Sequence, residues 1–301
     1  MLQTYNPKNA DLIVNVNGKL VHRQEAGVSP FDSSVQNGDA VWEGLRLYDG
    51  RIFRLKQHLD RLRKSAAMLQ YRGYPNDDLV IEQLRQTLAA NKMTDGVHIR
   101  LTITRGIKYT SGLDPRINNL GCGLIILPEF KPPVYDSSGI RLITATIRRP
   151  LANVLDQHIH SCNQLTSILA KLEANAAGAD DALMLDPDGF LAETNATHVF
   201  VVRQNIVETS TTRACPEGIT RGVVLELCEK HNIPHSVRDI TPAEIYSADE
   251  VFCTGTMGEL TPVTQIDSTF YNHGQPGPMV QRLGALFTEM TRNANEGFSM
   301  A

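Results

Sequence analysis

The stretch from Leu155 to Val202 constrains the fold more than any other part of the chain, because it reads as a helix followed by two strands and a tight turn. Proline fixes φ and glycine tolerates positive φ in the segment at 186–189, which therefore predicts the hairpin turn. Apolar side chains at i, i+3, i+4 and i+7 predict a helix from Asn163. These apolar side chains form a stripe on one face of the helix and belong to Leu165, Ile168, Leu169 and Leu172.

Glu193 lies in the returning strand of this hairpin, among apolar neighbours. Burying a carboxylate without a partner costs several kcal/mol, so the side chain is expected either to face solvent or to pair with a cation. His158 and His160 lie just before the helix. Chemistry is therefore expected in this stretch.

The composition bounds the class of protein. The chain has 301 residues, of which 42% are hydrophobic and 21% charged. It is long enough to bury a sizeable core and predicts two domains. The net charge of -4 and the pI near 6.1 argue against nonspecific electrostatic binding to nucleic acid or to an anionic membrane. Arg61, Arg63 and Lys64 read as a solvated helix face.

The expected location is the cytoplasm, with no membrane span. The first ten residues lack the apolar core of a signal peptide, and no run approaches the roughly 18 apolar residues of a spanning helix. The five cysteines are odd in number and lack C-x-x-C spacing, which argues against a disulfide framework or a cysteine zinc site.

Turn signals divide the rest of the chain. Asn17-Gly18 predicts a hairpin at 13–21, and alternation predicts a strand at 97–104. The segment 128–139 holds three prolines and no periodicity, which is typical of a linker. We therefore predict a smaller N-terminal α/β domain at 1–127, a linker at 128–139 and a larger C-terminal domain at 140–301. The last helix is expected at about 279–292, and the tail from there to Ala301 is expected to be mobile.

Two small-residue loops are candidate anion sites. The segment 215–220 leads through Gly218 directly into a helix, whose first N–H groups and positive dipole end attract anions. The alternative is a plain helix start. Thr254-Gly255-Thr256 breaks from a strand and presents hydroxyls and N–H groups.

The motifs in this order resemble the class IV aminotransferases, which include branched-chain and D-amino acid aminotransferases and aminodeoxychorismate lyase. The similar segments cover nearly the whole chain: NGDAVWEGLRLYDG at 37–50, FRLKQHLDRL at 53–62, ITRG at 103–106, ILAKLEA at 168–174, GFLAETNATHVFVV at 189–202, PEGITRG at 216–222 and TGTMGELTPV at 254–263. The resemblance implies the two-domain α/β (α+β) architecture of pyridoxal-phosphate fold type IV. It also implies a barrel-like sheet in the larger domain and a homodimer that binds a small molecule.

The resemblance also implies site residues around pyridoxal 5'-phosphate. Glu193 is expected to pair with the pyridine nitrogen of the cofactor. Arg100 and Arg105 match positions that meet the substrate carboxylate in one branch of the family or another, and Asn37 matches an active-site tyrosine of many relatives. The cofactor phosphate is expected to contact Arg54, Ile219, Thr220 and Thr256.

Position 160 departs from the family pattern. Where relatives resemble D-P-R-I-K-S-L-N, this chain reads DQHIHSCN from Asp156, and His160 stands in place of the lysine. The register is fixed by the downstream ILAKLEA segment, and Lys171 lies several helical turns beyond the site. Because imidazole cannot bind the cofactor covalently as lysine does, any pyridoxal phosphate is expected to be held noncovalently.

Three functions remain open for such a site. His160 is a candidate general base, because an ordinary histidine pKa near 6.5 suits proton transfer at neutral pH. A second possibility is that the site has lost the cofactor and uses the candidate anion sites and His160 on another phosphorylated or carboxylated small molecule. A third is that the chain is a catalytically inactive paralogue that only binds ligand. Conventional amino acid transamination, or lyase chemistry, is the further alternative. A zinc site at His158, His160 and Cys162 is disfavoured, and no metal is predicted.

Overall fold

The computed structural model describes residues 3–301 and divides into two compact units. One, here called the first unit, comprises Thr4–Pro132, Ile159–Asn163 and Thr291–Ala301. The second unit comprises Pro133–His158 and Gln164–Met290, with Gln3. Throughout the described range, every helix is too short or too polar to cross a membrane.

Strands and helices are numbered in chain order. The strands are β1 Ile13–Val16, β2 Lys19–His22, β3 Ala40–Tyr48, β4 Arg51–Phe53, β5 Val97–Thr104, β6 Gly123–Phe130, β7 Ile140–Thr144, β8 Asp181–Leu185, β9 Leu191–Thr194, β10 His198–Arg203, β11 Ile206–Thr209, β12 His235–Val237, β13 Glu250–Gly255, β14 Glu259–Ile266, β15 Thr269–Phe270 and β16 Gly297–Ser299. The helices are α1 Ser33–Asn37, α2 Leu55–Met68, α3 Asp77–Ala90, α4 Ala152–Leu155, α5 Leu165–Ala176, α6 Ile219–Lys230, α7 Pro242–Tyr246 and α8 Pro278–Arg292.

The first unit is built on an antiparallel sheet in the order β16-β4-β3-β5-β6-β1-β2. The predicted hairpin at 13–21 is confirmed, and Asn17 and Gly18 both take positive φ in its turn. Along β3 and β5 the side chains alternate between two faces. One face packs Leu45, Leu47 and Ile99 into the core that α2 and α3 share.

The predicted domain division differs from the structure in two respects. The expected linker at 128–139 begins inside β6. Two later segments, Ile159–Asn163 and Thr291–Ala301, belong to the first unit and not to the second. The segment 159–163 returns because its backbone pairs along β3: Trp42 N–H donates to the His160 carbonyl at 3.0 Å, and Cys162 N–H to the Ala40 carbonyl at 2.8 Å. The C-terminal segment, expected to be mobile, forms β16 against β4. Such long-range pairing leaves no local pattern in the sequence.

The second unit is built on a mixed sheet in the order β12-β11-β10-β13-β14-β7-β8-β9, with β15 beside β14. The pairs β7–β8, β7–β14 and β11–β12 are parallel and the others antiparallel. The predicted hairpin after α5 is confirmed as β8 and β9, and it places Glu193 in β9 opposite Met184. The mixed α/β architecture expected from the sequence is therefore present.

The apolar stripe predicted on α5 lies on the exposed side of the helix. Ser167, Ala170 and Ala174 face the core, where Ala170 and Ala174 pack with small neighbours. The exposed fractions of the four stripe residues are large: Leu165 67%, Ile168 54%, Leu169 40% and Leu172 56%. Helical periodicity identified an apolar stripe correctly, but a periodic pattern does not say whether a stripe faces the chain's own core or another surface.

Candidate active site

His160 lies in the first unit, on the segment that pairs with β3. Its ring stacks on Trp42, with centroids 4.5 Å apart and an interplanar angle of 28°. Its Nδ1 lies 2.5 Å from the Trp42 carbonyl oxygen, and Ser65 Oγ accepts from its backbone N–H at 3.0 Å. Because a carbonyl oxygen only accepts, Nδ1 carries the proton and the lone pair is on Nε2. The chain thus fixes both the ring plane and the tautomer.

Glu43 anchors the polar cluster beside this imidazole. Its carboxylate is fully buried and accepts from Arg61 through both oxygens, at 2.8 and 2.7 Å, and from His58 Nδ1 at 2.6 Å. Burial alone would raise the pKa of Glu43, but the Arg61 charge and the two side-chain donors outweigh it and hold the pKa well below its usual range. His160 Nδ1 lies 3.7 Å from the same carboxylate.

The environment keeps His160 neutral. Burial, followed by the charge of Arg61, lowers its pKa from 6.5 to about 4, although Glu43 and the Trp42 carbonyl favour the proton. The expectation of an ordinary pKa near 6.5 therefore does not describe this ring. At neutral pH, His160 offers the Nε2 lone pair as a hydrogen-bond acceptor and as a weak base.

The three residues of the disfavoured zinc pattern are not grouped as one ligand set. Cys162 shares the face of His160 in the first unit, and Arg100 Nη2 donates to its sulfur at 3.6 Å. His158 belongs to the second unit, where its Nδ1 donates to Asp156 at 2.8 Å. Among residues 3–301, no cluster of three or more His, Cys, Asp or Glu side chains is placed to hold a metal ion.

The residues expected to bind substrate have different surroundings in the first unit. Arg100 stacks over the Trp42 ring, 3.9 Å from its centroid. Arg105 donates to Asp39 at 2.5 Å and to the Leu69 carbonyl at 2.9 Å, so its guanidinium is largely engaged. Asn37 is exposed at the end of α1, and its side-chain oxygen accepts from Lys108 Nζ.

Glu193 and Arg149 form a buried ion pair in the second unit. Arg149 Nη2 lies 3.0 Å from Glu193 Oε1, and both side chains are almost inaccessible. The same Nη2 donates to the carbonyls of Thr194 and Asn195, at 3.1 and 3.2 Å. Of the two environments that the sequence left open for Glu193, exposure to solvent or pairing with a cation, the structure shows the second, with Arg149 as the cation. This pairing fixes the Glu193 carboxylate in position.

The start of α6 forms an anion cradle in the second unit. Gly218 is its N-cap and supplies no side-chain cap, so the first-turn N–H groups at Ile219 and Thr220 are not bonded by the capping residue. A Cβ at position 218 would overlap the His198 imidazole, so only glycine permits this approach. His198 in turn pairs with Thr254 across β10 and β13.

Thr256 lies in the turn after β13, two residues beyond Thr254. The buried Thr254 hydroxyl has no partner within the described chain. Backbone N–H groups at a helix start, together with hydroxyls, suit a phosphate group. The residues of the second unit therefore fit both anchors of pyridoxal phosphate: a cradle for the phosphate and a fixed carboxylate for the ring nitrogen.

Arg54 lies in the first unit, where it is the left-handed N-cap residue of α2, with φ of 51°. Its Nη2 lies 2.9 Å from Glu296 Oε2, and its backbone N–H donates to the Glu296 carbonyl at 3.2 Å. The C-terminal segment therefore supplies the carboxylate that this arginine meets.

Sequence reasoning missed Glu43, His58 and Arg61. His58 is buried and Arg61 is mostly buried on the inner side of α2, so the expectation that Arg61 is solvated is wrong, although Arg63 is exposed. A local signal existed: His58 and Arg61 lie three residues apart beside Leu55, Leu59 and Leu62. Polar side chains on an apolar helix face indicate a buried partner.

Comparison with known proteins extends these observations. The family profile described as amino-transferase class IV matches residues 40–266. A branched-chain-amino-acid aminotransferase-like protein 2 of Arabidopsis thaliana is 49% identical over 286 residues, which cover 95% of this chain and 51% of that protein. The chain therefore spans about half the length of this curated relative.

Two further relatives match end to end. A putative branched-chain-amino-acid aminotransferase of Methanocaldococcus jannaschii is 38% identical, over 92% of this chain and 96% of that protein. The crystal structure of a T.th. branched-chain amino acid aminotransferase with pyridoxamine 5'-phosphate superimposes with a TM-score of 0.90 at 31% identity, covering 97% of this chain and 99% of that one. The predicted fold type IV architecture is confirmed.

Proposed function

The chain belongs to the class IV aminotransferase family, and on that premise we propose that it binds pyridoxal 5'-phosphate without a covalent bond at position 160. We further propose that it acts on a small amino or carboxylate metabolite, with His160 as the general base. The observation that carries this proposal is the second unit's pairing of a phosphate cradle with the fixed Glu193 carboxylate.

Each residue set has a separate task in this proposal. The N–H groups at Ile219 and Thr220 and the turn at Thr256 hold the phosphate, with Arg54 as the additional cation. Glu193 meets the pyridine nitrogen, and Arg149 orients this carboxylate. When bound, pyridoxal phosphate supplies an electron-withdrawing ring that acidifies bonds to the substrate α-carbon.

His160 holds the proton-accepting position at Nε2. Trp42 and Glu43 fix the other side of the ring. Because the pKa lies near 4, the ring stays neutral from mildly acidic to alkaline pH and its basic form does not vary across that range. A weak base gives slow proton transfer, which suits chemistry on a substrate already acidified by its surroundings.

We also propose a homodimer. Four apolar side chains of α5 are exposed, and contiguous apolar stripes of this kind mark protein interfaces.

The five cysteines are free, which supports the reducing cytoplasm expected from the sequence.

A second candidate function follows from the cradle at Gly218, which suits any phosphate monoester. In this alternative the chain binds a phosphorylated or carboxylated metabolite without the cofactor. It predicts saturable binding of such compounds with no pyridoxal phosphate signal. Conventional pyridoxal-phosphate-dependent transamination, or lyase chemistry, is the further alternative.

Equilibrium titration of the purified chain with pyridoxal phosphate, followed by absorbance, distinguishes these functions. We expect saturable binding of one equivalent that inorganic phosphate displaces. Unchanged turnover of every detected substrate in a His160→Ala variant would rule out the general-base role, whereas absence of cofactor binding would favour the second candidate.

A further inference from the structure

The hairpin of β13 and β14 closes through the turn at 256–258, whose first residue is Thr256 of the proposed phosphate site. Strand pairing ends where Gly255 faces Glu259, and Glu259 takes a positive φ of 54°. A residue with a large side chain rarely adopts this conformation unless its surroundings impose it. Contacts from outside the hairpin are therefore expected to hold the turn.

The segment that precedes β7 supplies two such contacts. Val134 N–H donates to the Met257 carbonyl at 3.0 Å. The Tyr135 ring lies so close to Gly258 that a Cβ there would be 2.8 Å from Cδ2 and 3.0 Å from Cε2. Because a side chain at position 258 would collide with the ring, this packing depends on the glycine. The backbone and the side chain of the preceding segment thus both meet the turn.

A buried ionic network holds the Tyr135 ring in this place. Its hydroxyl donates to Asp181 Oδ2, and the Asp181 side chain is only 3% exposed. Lys171, from α5, donates to the other oxygen of this carboxylate at 2.8 Å. Burial, reinforced by the Asp181 charge, raises the pKa of the Tyr135 hydroxyl, which therefore keeps its proton and remains a donor. The ring is fixed at its hydroxyl by a charged acceptor and packs its edge against the turn.

Every group in this chain of contacts belongs to the second unit. The contacts run from Lys171 and Asp181 through the Tyr135 ring to Gly258, two residues beyond Thr256. A hydrogen bond weakens steeply when its donor is displaced or turned. A change at Tyr135 is therefore expected to reach a bound phosphate through the turn.

We propose that Tyr135 is a positioning residue of the phosphate site, which holds the turn at 256–258 so that Thr256 can donate to a phosphate group. The inference rests on the proposed function, because it assigns Tyr135 to the phosphate part of the same site. Tyr135 acts on the phosphate alone, since Glu193 and Arg149 hold the site of the ring nitrogen through separate contacts.

Pyridoxine 5'-phosphate and pyridoxine are matched probes, because they differ only in the phosphate and neither carries an aldehyde that reacts with lysine. Calorimetric titration with each gives the preference for the phosphorylated ligand as a ratio of dissociation constants. We expect Tyr135→Ala to lower this preference about tenfold or more, the loss of one hydrogen bond to a charged group. An unchanged preference, or an equal loss of affinity for both ligands, would contradict the proposal.

Gly258→Ala tests the same contact from the side of the turn. The added Cβ should displace the turn and lower the preference by itself. In a Tyr135→Ala background no ring remains to collide with, so the second substitution should add little. Fully additive losses would show that the two positions act independently and would overturn the proposal. Tyr135→Phe keeps the ring but not its bond to Asp181, and should retain part of the preference.

Tyr246→Ala is the matched control. Tyr246 lies on α7 in the same unit, and its hydroxyl also donates to an aspartate, Asp267, at 2.9 Å. We expect this variant to keep the parent preference, and a loss as large as that of Tyr135→Ala would contradict the proposal. If Tyr135→Ala does not fold by circular dichroism, Tyr135→Phe and Gly258→Ala, which change fewer atoms, carry the test.

Inorganic phosphate, titrated in the same way, separates this inference from the proposed function. Phosphate binding that Tyr135→Ala weakens, without binding of either pyridine ligand to the parent chain, would support the inference and overturn the proposed function alone. Binding of pyridoxine 5'-phosphate that Tyr135→Ala leaves unchanged would overturn only the inference about Tyr135.

Discussion

The imidazole at position 160 is held by contacts on three sides. The Trp42 carbonyl accepts from Nδ1, the indole stacks on the ring, and the Glu43 cluster lies beyond. These contacts fix an orientation that an isolated surface histidine would not keep. They also determine which nitrogen can meet a substrate.

The protonation of His160 can be measured through the stacked Trp42. Protonated imidazole quenches a neighbouring indole, so tryptophan fluorescence should fall as the ring gains its proton. We predict a midpoint near pH 4, because burial and the Arg61 charge oppose the imidazolium. A His160→Asn variant should lack the transition, and a midpoint near the ordinary value of about 6.5 would contradict the description of the ring.

The same shift predicts acid sensitivity of the fold. The pKa of His160 in the folded chain lies below that of the unfolded chain, so the unfolded state binds more protons between the two values. The free energy of unfolding should therefore fall as pH decreases from about 6.5 to about 4. The contribution is about 3 kcal/mol for a shift from 6.5 to about 4. Urea denaturation of the parent and His160→Asn chains across this range checks it: a parallel pH dependence in both would show that His160 contributes nothing.

At the scale of the element, α6 combines a helix start with a glycine that permits close approach. Gly218 lies against His198, and Gly222 lies in the same helix with open space around it. The two positions therefore separate the effect of crowding from the general effect of adding a methyl group.

We predict opposite outcomes for alanine at these two glycines. Gly218→Ala should lower the free energy of unfolding by about 1–3 kcal/mol, because the added Cβ overlaps the imidazole and forces a rearrangement. It should also weaken the binding of pyridoxal phosphate, measured as the binding that inorganic phosphate displaces. Gly222→Ala should raise stability by roughly 0.5–1 kcal/mol through helix propensity and leave binding unchanged. Equal effects at both sites in denaturation and binding assays would argue against the cradle.

For the whole molecule, local patterns predicted the elements better than their assignment to units. The β1–β2 hairpin, the strand β5 and the turn before β9 follow from neighbouring residues and were predicted. The return of 159–163 to β3 and of β16 to β4 depends on partners more than a hundred residues away, and no short pattern reports them.

The candidate site shows the same limit. The residues around Glu193 indicate a carboxylate that is either exposed or paired with a cation, but its partner Arg149 lies 44 residues earlier and carries no motif. The exposed stripe of α5 was visible as a pattern, yet its direction depended on which side of the helix carries alanines.

That stripe leads to a prediction about assembly. We expect the mass from light scattering to equal two chains, and Ile168→Glu to shift it to one, because a charge in an apolar interface is desolvated without a partner. Met68→Glu, at an exposed apolar position on α2, is the control. A parent mass of one chain would contradict the dimer, and an unaffected dimer in Ile168→Glu would exclude α5 from the interface.

The most direct test of the central proposal, a cofactor site without its covalent amine, is borohydride treatment of the chain mixed with one equivalent of pyridoxal phosphate. The reduced protein is then denatured and analysed by peptide mass mapping. We predict that the parent chain carries no covalent adduct and that its cofactor separates as the reduced alcohol, whereas His160→Lys retains the cofactor covalently at position 160. A stoichiometric adduct on any native lysine of the parent, such as Lys108 or Lys171, would contradict the proposal.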